Sequence, residues 1–456
     1  MTSPLPQSPV TIPDRSVGRR RLITFLGISA GNFLVLLDTS ILNIALPDVQ
    51  RDLQVGGALL PWASVAYTVV FAGVLLASGA VSDRFGASRL YRYSLIAFAV
   101  ISLLCAAAPN IGLLIGGRAL LGIAAAGMVP SSLALLVAMY PEPAVRAKMI
   151  GTWAAVTSSG LLAGPLLGGV LVTLGGWRLV FLVNPPIAVL SLVLVLGVAN
   201  VVPPTIRPLD RPGVTLSIVL LGCLTFGLID GGTNGWVRAT PLISLALSAA
   251  ALVALVQVER RAEHPVLPPA LLARAQVRLD IIAATAATLV FYGMLFMLTL
   301  WYQRERGFSA LDTGLAFVPM TLPMCVLPMV TGRLIATFGA RRLIIFGLTC
   351  DVFAGLLLTG VGVHSSLLWI VVAEIALVLA STTAIPAATA DMSVAAPKEY
   401  AASAQGALNA SRQAGAALGV AVLGPLTSLR TAGVILAALA LVAVTLSLPV
   451  RRQQQP

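Results

Sequence analysis

The sequence predicts an all-α integral membrane protein with fourteen transmembrane helices, and three observations support this prediction. Hydrophobic residues make up 58% of the 456 positions and charged residues only 10%, whereas soluble domains are roughly half apolar and a quarter charged. The chain contains fourteen apolar runs, each close to the length of about 20 residues that a helix needs to span a bilayer. Basic residues collect in every second loop, as in proteins whose alternate loops face the cytoplasm.

The first apolar run, 22–46, is predicted to be a retained transmembrane helix. It follows Arg19, Arg20 and Arg21, an arrangement that also begins a secretory signal. However, the run is longer than the apolar region of a signal, and no convincing small-residue cleavage site follows it. The other thirteen helices are predicted at 60–81, 91–108, 111–139, 149–173, 179–200, 213–231, 241–258, 280–302, 313–335, 343–363, 367–391, 402–425 and 431–449.

The distribution of basic residues predicts the orientation of these helices. If the N-terminus lies in the cytoplasm, 21 of the 29 Lys and Arg residues fall in cytoplasmic segments and six in outer loops. This bias supports an even number of helices with both termini cytoplasmic. It also accounts for the net charge of +12 without a nucleic-acid partner. We therefore predict a multi-pass protein of the cell (inner) membrane, in contact with the lipid bilayer.

Cysteine and histidine usage makes a metal centre improbable. The four cysteines lie in apolar runs without metal-ligand spacing, and the chain has only two histidines. Buried free cysteines usually act as small core residues. We expect no metal site and no cofactor.

Two pairs of segments indicate an internal repeat. Residues 79–90 match residues 332–343 without a gap at six of twelve positions, an offset of 253. Three glycines recur at almost the same offset, 255 residues later: Gly160, Gly164 and Gly169 match Gly415, Gly419 and Gly424. Parallel repeats of this kind are typical of transporters built from two equivalent halves.

The repeat also predicts the domain organisation. An N-terminal six-helix bundle covers 1–203, and a C-terminal six-helix bundle covers 276–456. The seventh and eighth helices and a cytoplasmic linker, 204–275, form an insertion between the two halves.

The turn after the second helix carries charged residues between glycines, namely Gly79, Asp83, Arg84, Gly86 and Arg89. The charged pair in this turn lies at the membrane surface. It can pair between helices in one conformation and separate in another, which suggests a gating role.

The fifth helix carries small residues and a proline: Gly160, Gly164, Pro165, Gly168 and Gly169. Small residues let helix backbones approach closely within a bilayer, and proline removes a backbone donor and favours a kink. This helix is suited to movement against the second half. Ordinary helix packing is the alternative explanation of its glycines.

These motifs resemble those of the major facilitator superfamily, in its fourteen-helix drug:proton antiporter branch. The first helix carries Asp38, Asn43 and Pro47 within the segment 37–47, and the thirteenth carries the segment 406–415, both in the pattern of that branch. The loop motif is similar to the superfamily signature, except that Ala87 and Ser88 precede Arg89. In the fourth helix Arg118 is in register, whereas Leu121 and Ala124 depart from the pattern. The fifth-helix motif implies antiport.

We assign six ionisable residues of the predicted spans to bilayer depth, where each is by default a functional candidate: Asp38, Arg118, Asp230, Asp351, Glu374 and Arg412. Asp38 lies about sixteen residues into the first helix, well inside the hydrocarbon at about 1.5 Å per residue. Burial there favours the neutral carboxyl group, so Asp38 is the first candidate for proton coupling. A structural carboxylate permanently paired with Arg118 or Arg412 is the alternative.

The remaining charges receive secondary roles. Glu374 is the second candidate for proton coupling or for binding a cationic drug, because the resemblance implies that its helix lines a cavity. Arg118 is expected to tune the proton affinity of the carboxyl groups. Asp351 is expected to pair with a basic residue near the cytoplasmic surface, and Asp230 to lie at the interface.

Polar residues near the middle of the predicted helices are the candidates for the substrate cavity. Arg412 shares a helix with Asn409 and Gln413 and is alternatively an interhelix lock; Asn43 and Tyr67 complete the candidate cavity.

The sequence therefore predicts a monomeric exporter that moves an amphipathic organic compound outward in exchange for protons. One alternative is a dedicated exporter of a single endogenous metabolite or antibiotic. A membrane-embedded enzyme is less favoured because no convergent catalytic residues or long catalytic loop are apparent. ATP-driven pumping is disfavoured because the chain has no phosphate-binding Gly-x-x-x-x-Gly-Lys-Ser/Thr loop.

Overall fold

The computed structural model describes residues 15–56, 59–197, 210–262, 269–397 and 400–448. Every regular element in these ranges is a helix, which confirms the all-α prediction. In chain order they are α1 (Arg15–Asp52), α2 (Leu60–Phe85), α3 (Ala87–Ala106), α4 (Ile111–Met139), α5 (Pro143–Gly175), α6 (Leu179–Leu182), α7 (Asn184–Val195), α8 (Arg211–Asn234), α9 (Ala239–Arg261), α10 (Pro269–Leu272), α11 (Ala275–Arg304), α12 (Ala310–Ala316), α13 (Val318–Thr321), α14 (Pro323–Phe338), α15 (Ala340–Thr359), α16 (Leu367–Ala395), α17 (Ala401–Leu423) and α18 (Leu429–Ser447).

Helix is present in all fourteen predicted segments where the structure describes them. Within the described ranges, ten helices are long and apolar enough to cross a membrane, and shorter apolar helices cover Leu60–Leu75 and Leu179–Val195. Length and apolarity therefore establish an integral membrane protein with about ten clear spans.

Prolines divide two of the predicted helices. The sixth was wrongly predicted to be continuous: it is split into α6 and α7 immediately before the Asn-Pro-Pro sequence at 184–186. The tenth is split into α12, α13 and α14, with Pro319 and Pro323 in the first turns of the last two pieces. Proline has no N–H to donate and clashes with the preceding turn, so it favours a helix start. Pro165, by contrast, lies inside the unbroken α5.

The first repeat has a structural counterpart in two identical turns. Gly86 joins α2 to α3 with φ of 86°, and Gly339 joins α14 to α15 with φ of 82°. Each glycine N–H donates at 2.9 Å to the carbonyl group four residues earlier, in Ser82 and Ile335 respectively. Glycine is required here because side chains disfavour positive φ.

The second repeat packs equivalent helices in the two halves. Gly160 has no side chain, and a Cβ atom added there would overlap Phe33 O. Helix α5 therefore packs closely on α1 at this glycine. A Cβ atom at Gly419 would overlap Leu289 O, so α17 packs closely on α11. In each half, the glycine-bearing helix thus lies against the first helix of its own half.

The two halves meet at one side of the bundle. We call this the far side; α1 ends and α2 begins there, and the opposite side, where α1 begins, is the N-terminal side. At the far side a Cβ atom at Gly169 would lie 2.7 Å from Ala310 O, and one at Gly424 would lie 3.2 Å from Pro61 Cγ. Gln303 Nε2 also donates to Ile44 O at 3.0 Å across the two halves.

Toward the N-terminal side, several glycines of the same helices face open space. Gly79 of α2 and Gly406 of α17 each lie eighteen residues from the Pro61–Gly424 contact, and among the described residues a Cβ atom at either would meet nothing within 4 Å. Gly151 of α5 and Gly332 of α14 are equally open. The contacts between the halves that these glycines report thus lie at the far side.

Of the two inserted helices, α8 packs on both halves and α9 packs on α8. Ile218 of α8 fills the space beside Gly73 of α2, and a Cβ atom at Gly232 of α8 would lie 2.8 Å from Pro425, just beyond α17. Ser248 of α9 donates to Leu220 O of α8 at 3.0 Å. Helix α8 thus lies against both α2 and the end of α17.

Candidate functional site

Asp38 of α1 and Arg118 of α4 form a buried ion pair. Arg118 Nη1 donates to Asp38 Oδ2, and both side chains are 1% exposed. An isolated charge at this depth is costly, but the two opposite charges balance each other. Asp38 is thus paired with Arg118, one of the two arginines that the sequence analysis considered as its partner.

Three further helices contribute to this pair. Asn184 of α7 donates to Asp38 Oδ1 at 2.9 Å and to Ser102 Oγ of α3 at 3.1 Å. The Arg118 guanidinium carbon lies 4.6 Å from the ring centroid of Tyr67 of α2, and Arg118 Nε donates to Ala63 O at 3.1 Å. We call Asp38, Arg118, Asn184, Ser102 and Tyr67 the Asp38 network.

The two charges of the Asp38 network depend on each other. Without the negative charge of Asp38, the guanidinium would keep the Tyr67 ring and the Ala63 carbonyl oxygen as its partners among the described residues. A buried charge that loses its partner is strongly destabilising.

Glu374 of α16 is a second fully buried carboxyl group. Its Oε1 atom accepts a hydrogen bond from the Tyr302 hydroxyl at 3.0 Å, and its Oε2 atom has no partner in the described part of the chain. The Tyr302 ring stacks on Phe308 at 5.4 Å and meets the edge of Phe317 at 5.6 Å. Glu374 therefore lies in an aromatic environment, with one of its two carboxyl oxygens unpaired among the described residues.

Among the described residues, the side chains of Arg412 and Asn409 form hydrogen bonds only within α17, whereas Gln405 of the same helix donates to Thr389 O and Ser393 Oγ of α16. Arg412 Nη1 donates to Asn409 Oδ1 at 3.3 Å, and Asn409 Nδ2 donates to Gln405 O at 3.1 Å. Gln413 is half-buried beside them. The interhelix lock that the sequence suggested for Arg412 is thus not formed here.

Asn43 and Tyr67 are buried inside the N-terminal half. Asn43 Oδ1 accepts a hydrogen bond from Ser64 Oγ at 3.1 Å, which joins α1 to α2. The Tyr67 hydroxyl donates to Val35 O at 3.4 Å. In this conformation both residues connect helices rather than line an open space.

The loop motif lies on the N-terminal side. Gly79, Arg84 and Arg89 are exposed, and Gly86 forms the turn described above. The Asp83 side chain lies outside the described residues, so its expected pairing stays a prediction.

The fifth-helix motif is divided between the two halves. Gly160, Gly164 and Gly168 pack against α1. Gly169 and the Pro165 carbonyl meet α12 of the other half, where a Cβ atom at Gly314 would lie 2.5 Å from Pro165 O.

The prediction for Asp351 was wrong. Its side chain is 1% exposed, Oδ2 has no hydrogen bond, and the residue belongs to no ion pair among the described residues. Gly347 and Gly355, one turn before and after it, pack closely on α16 and α18. Asp351 is therefore enclosed by helices rather than paired at the membrane surface.

Sequence reasoning also missed Asp280, because the predicted ninth helix began at that residue. Asp280 is 1% exposed and lies against Asp391, which accepts a hydrogen bond from Gln276 Nε2 at 2.7 Å. Asn184 and Tyr302 were missed as well. The signal available for Asn184 was its polar amide side chain, which directly precedes two prolines within an apolar run.

The comparisons with known proteins agree with this geometry. The family model described as Major Facilitator Superfamily matches residues 28–420 and, in a second match, 283–455. The chain is 34% identical to multidrug resistance protein Stp of Mycobacterium tuberculosis over 417 residues, which cover 90% of this chain and 76% of the relative. It is 33% identical to the methylenomycin A resistance protein of Bacillus subtilis, over 87% of this chain and 85% of the relative. Among solved structures, a peptide transporter, POT, in complex with sulfate has a TM-score of 0.70 at 17% identity, covering 94% of this chain and 93% of that chain.

Proposed function

The chain belongs to the Major Facilitator Superfamily, and we propose that it exports amphipathic organic compounds in exchange for protons. It is a transporter rather than an enzyme, and a multi-pass protein of the cell membrane. In this proposal the chain is a monomer with fourteen spans and both termini in the cytoplasm. Two six-helix halves alternate in exposing a shared binding region to either side of the membrane.

The Asp38 network is the observation that carries this proposal. It provides one titratable carboxyl group, deep in the bundle, whose charge is balanced by Arg118 and whose other oxygen is held by Asn184. Intramembrane acids of this kind are typical of proton relays. Asp38 is the proposed proton carrier, Arg118 tunes its proton affinity, and Glu374 is the second acid that takes part in coupling.

The far-side contacts and the open glycines on the N-terminal side are consistent with export. With both termini in the cytoplasm, the N-terminal side is the cytoplasmic side, and the far-side contacts close the outer path. The compound would enter from the cytoplasm between α2 and α17 and between α5 and α14. Its release would require the far-side contacts of Gly169 and Gly424 to separate while the cytoplasmic ends approach.

The motif glycines have distinct roles in this cycle. Gly160 and Gly164 hold α5 on α1, so that the N-terminal half moves as one unit. Gly169 and Pro165 form the surface on which the two halves rock against each other. Gly79 and the charged turn around Gly86 would close the cytoplasmic side in the other conformation.

A dedicated exporter of one antibiotic is the second candidate. One relative is named for resistance to methylenomycin A alone, whereas another is named for multidrug resistance. The two candidates differ in breadth of substrate, not in mechanism.

Expression in a bacterial host that lacks its own efflux pumps tests the proposal and separates these candidates. We expect the chain to raise the inhibitory concentration of at least one of methylenomycin A, puromycin and ethidium, and that a protonophore removes the effect. Protection against several structurally unrelated compounds would favour broad efflux. Equal growth inhibition with and without the chain for all three compounds would contradict the proposal.

A further inference from the structure

Arg412 is an intramembrane cation that has no acidic partner among the described residues. It lies at the middle of α17 (Ala401–Leu423). In the described part of the chain its single hydrogen bond runs to Asn409, one turn earlier on the same helix, at 3.3 Å, and its Nε atom is buried without a partner. None of the ion pairs found among the described residues includes Arg412.

An aromatic side chain lies near Arg412. Tyr292 of α11 interacts electrostatically with Arg412 and, separately, with Tyr67 of α2. Phe291 stands edge-on to Tyr292, with ring centroids 5.4 Å apart. A tyrosine hydroxyl is normally neutral at physiological pH, so these neighbours do not balance the positive charge.

Arg118 has the partners that Arg412 lacks among the described residues. The Arg118 charge is balanced by Asp38, and its Nε atom has a carbonyl partner. An arginine side chain stays protonated in proteins, and an unbalanced charge at bilayer depth is costly. The Nε and Nη2 atoms of a guanidinium lie on one edge, which can donate two parallel hydrogen bonds to a carboxylate.

We propose that Arg412 binds an anionic group of the transported compound, so that the preferred substrates are amphipathic organic acids. This inference rests on the proposed export function and specifies its substrate class. The carboxylate of the compound pairs with the Nε edge of Arg412, and its apolar part packs on the half-buried ring of Tyr292. Because the cell interior is negative, the membrane potential itself favours the outward movement of an anion.

A matched pair of probes tests this proposal directly. Dansylglycine and dansylglycinamide differ in that a neutral amide replaces the carboxylate, and both can be followed by energy transfer from tryptophan in purified protein. We expect the wild type to bind the acid more tightly by about tenfold or more, because hydrogen bonds between charged groups are the stronger ones. Arg412→Gln should lose this preference. Arg412→Lys should keep part of it, because it retains the charge without the planar fork.

Arg430→Gln is the matched control, because it removes an arginine that is exposed at the start of α18. This variant should keep the full preference. Equal binding of the two probes to the wild type would overturn the proposal, even if Arg412→Gln fails to fold. So would an equal loss of both probes in Arg412→Gln, which would indicate a structural role.

These experiments can reject the preference for organic acids and the export function independently of each other. If the wild type protects cells from puromycin or ethidium but binds both dansyl probes equally, the acid preference is wrong and export stands. If it prefers the acid but protects against none of the compounds and transports neither probe, the binding site stands and export is wrong.

Discussion

Asp38→Asn is expected to abolish export driven by a pH gradient while the protein still reaches the membrane. The substitution keeps the size and hydrogen-bonding capacity of the side chain but removes the group that binds the proton. It also leaves Arg118 without its counter-charge, and breaking a buried ion pair on one side costs about 3–5 kcal/mol of folding stability. Export of methylenomycin A or puromycin into inverted membrane vesicles, with and without an imposed pH gradient, measures this effect.

Two further variants separate coupling from folding. The double variant Asp38→Asn with Arg118→Gln removes both charges, so it should recover stability without recovering coupling. Asp48→Asn makes the same chemical change at the far-side end of α1, where Asp48 Oδ2 accepts the Trp177 N–H at 3.0 Å, and it should export normally. Undiminished gradient-driven export in Asp38→Asn would show that another acid carries the proton. Glu374 and Asp351, each with one unpaired carboxyl oxygen among the described residues, would be the next candidates.

A disulfide between the two halves at the far side is expected to stop transport completely. Pro61 of α2 and Gly424 at the end of α17 are neighbours, because a Cβ atom at Gly424 would lie 3.2 Å from Pro61 Cγ. Since Pro61 Cγ is bonded to Cβ, this contact is compatible with the Cβ separation of about 3.5–4.5 Å that a disulfide needs. In a background without the four native cysteines, Pro61→Cys with Gly424→Cys should cross-link on oxidation. The cross-linked protein should lose transport, and a reducing agent should restore it.

The matched control lies on the same two helices. Gly79→Cys with Gly406→Cys places the cysteines eighteen residues further along each helix, where neither Cβ atom would meet another group within 4 Å. This pair should cross-link slowly in the resting protein, and faster if turnover brings the N-terminal ends together. Full transport by the completely cross-linked Pro61/Gly424 pair would contradict alternating movement of the halves.

The sequence predicts the helices well because about 20 consecutive apolar residues have few alternatives in a bilayer. The glycine repeat predicts equivalent packing of α5 and α17, since Gly160 and Gly419 each meet a backbone carbonyl of the first helix in their half. The prolines within 184–186 and Pro323 are visible in the sequence, but the sequence does not show that helices break there. Pro165, for example, lies inside an unbroken helix.

The candidate site was only partly predictable, because partners are set by packing between distant helices. Depth along a helix identified Asp38, Arg118 and Glu374 as buried charges. It did not identify Asn184, which lies 146 residues from Asp38 and reaches it only because α7 packs on α1. The same limitation explains Asp351: a sequence gives the depth of a charge but not whether the facing helices supply a partner.

Proton movement in proteoliposomes containing the purified wild-type protein tests the central claim most directly. A dye enclosed in vesicles with an acidic lumen reports luminal pH while methylenomycin A, puromycin or dansylglycine is added outside. Proton-coupled exchange predicts that the lumen becomes more alkaline as the compound enters, and that vesicles with Asp38→Asn give no such change. Entry of the compound through the wild type without any change in luminal pH would contradict it.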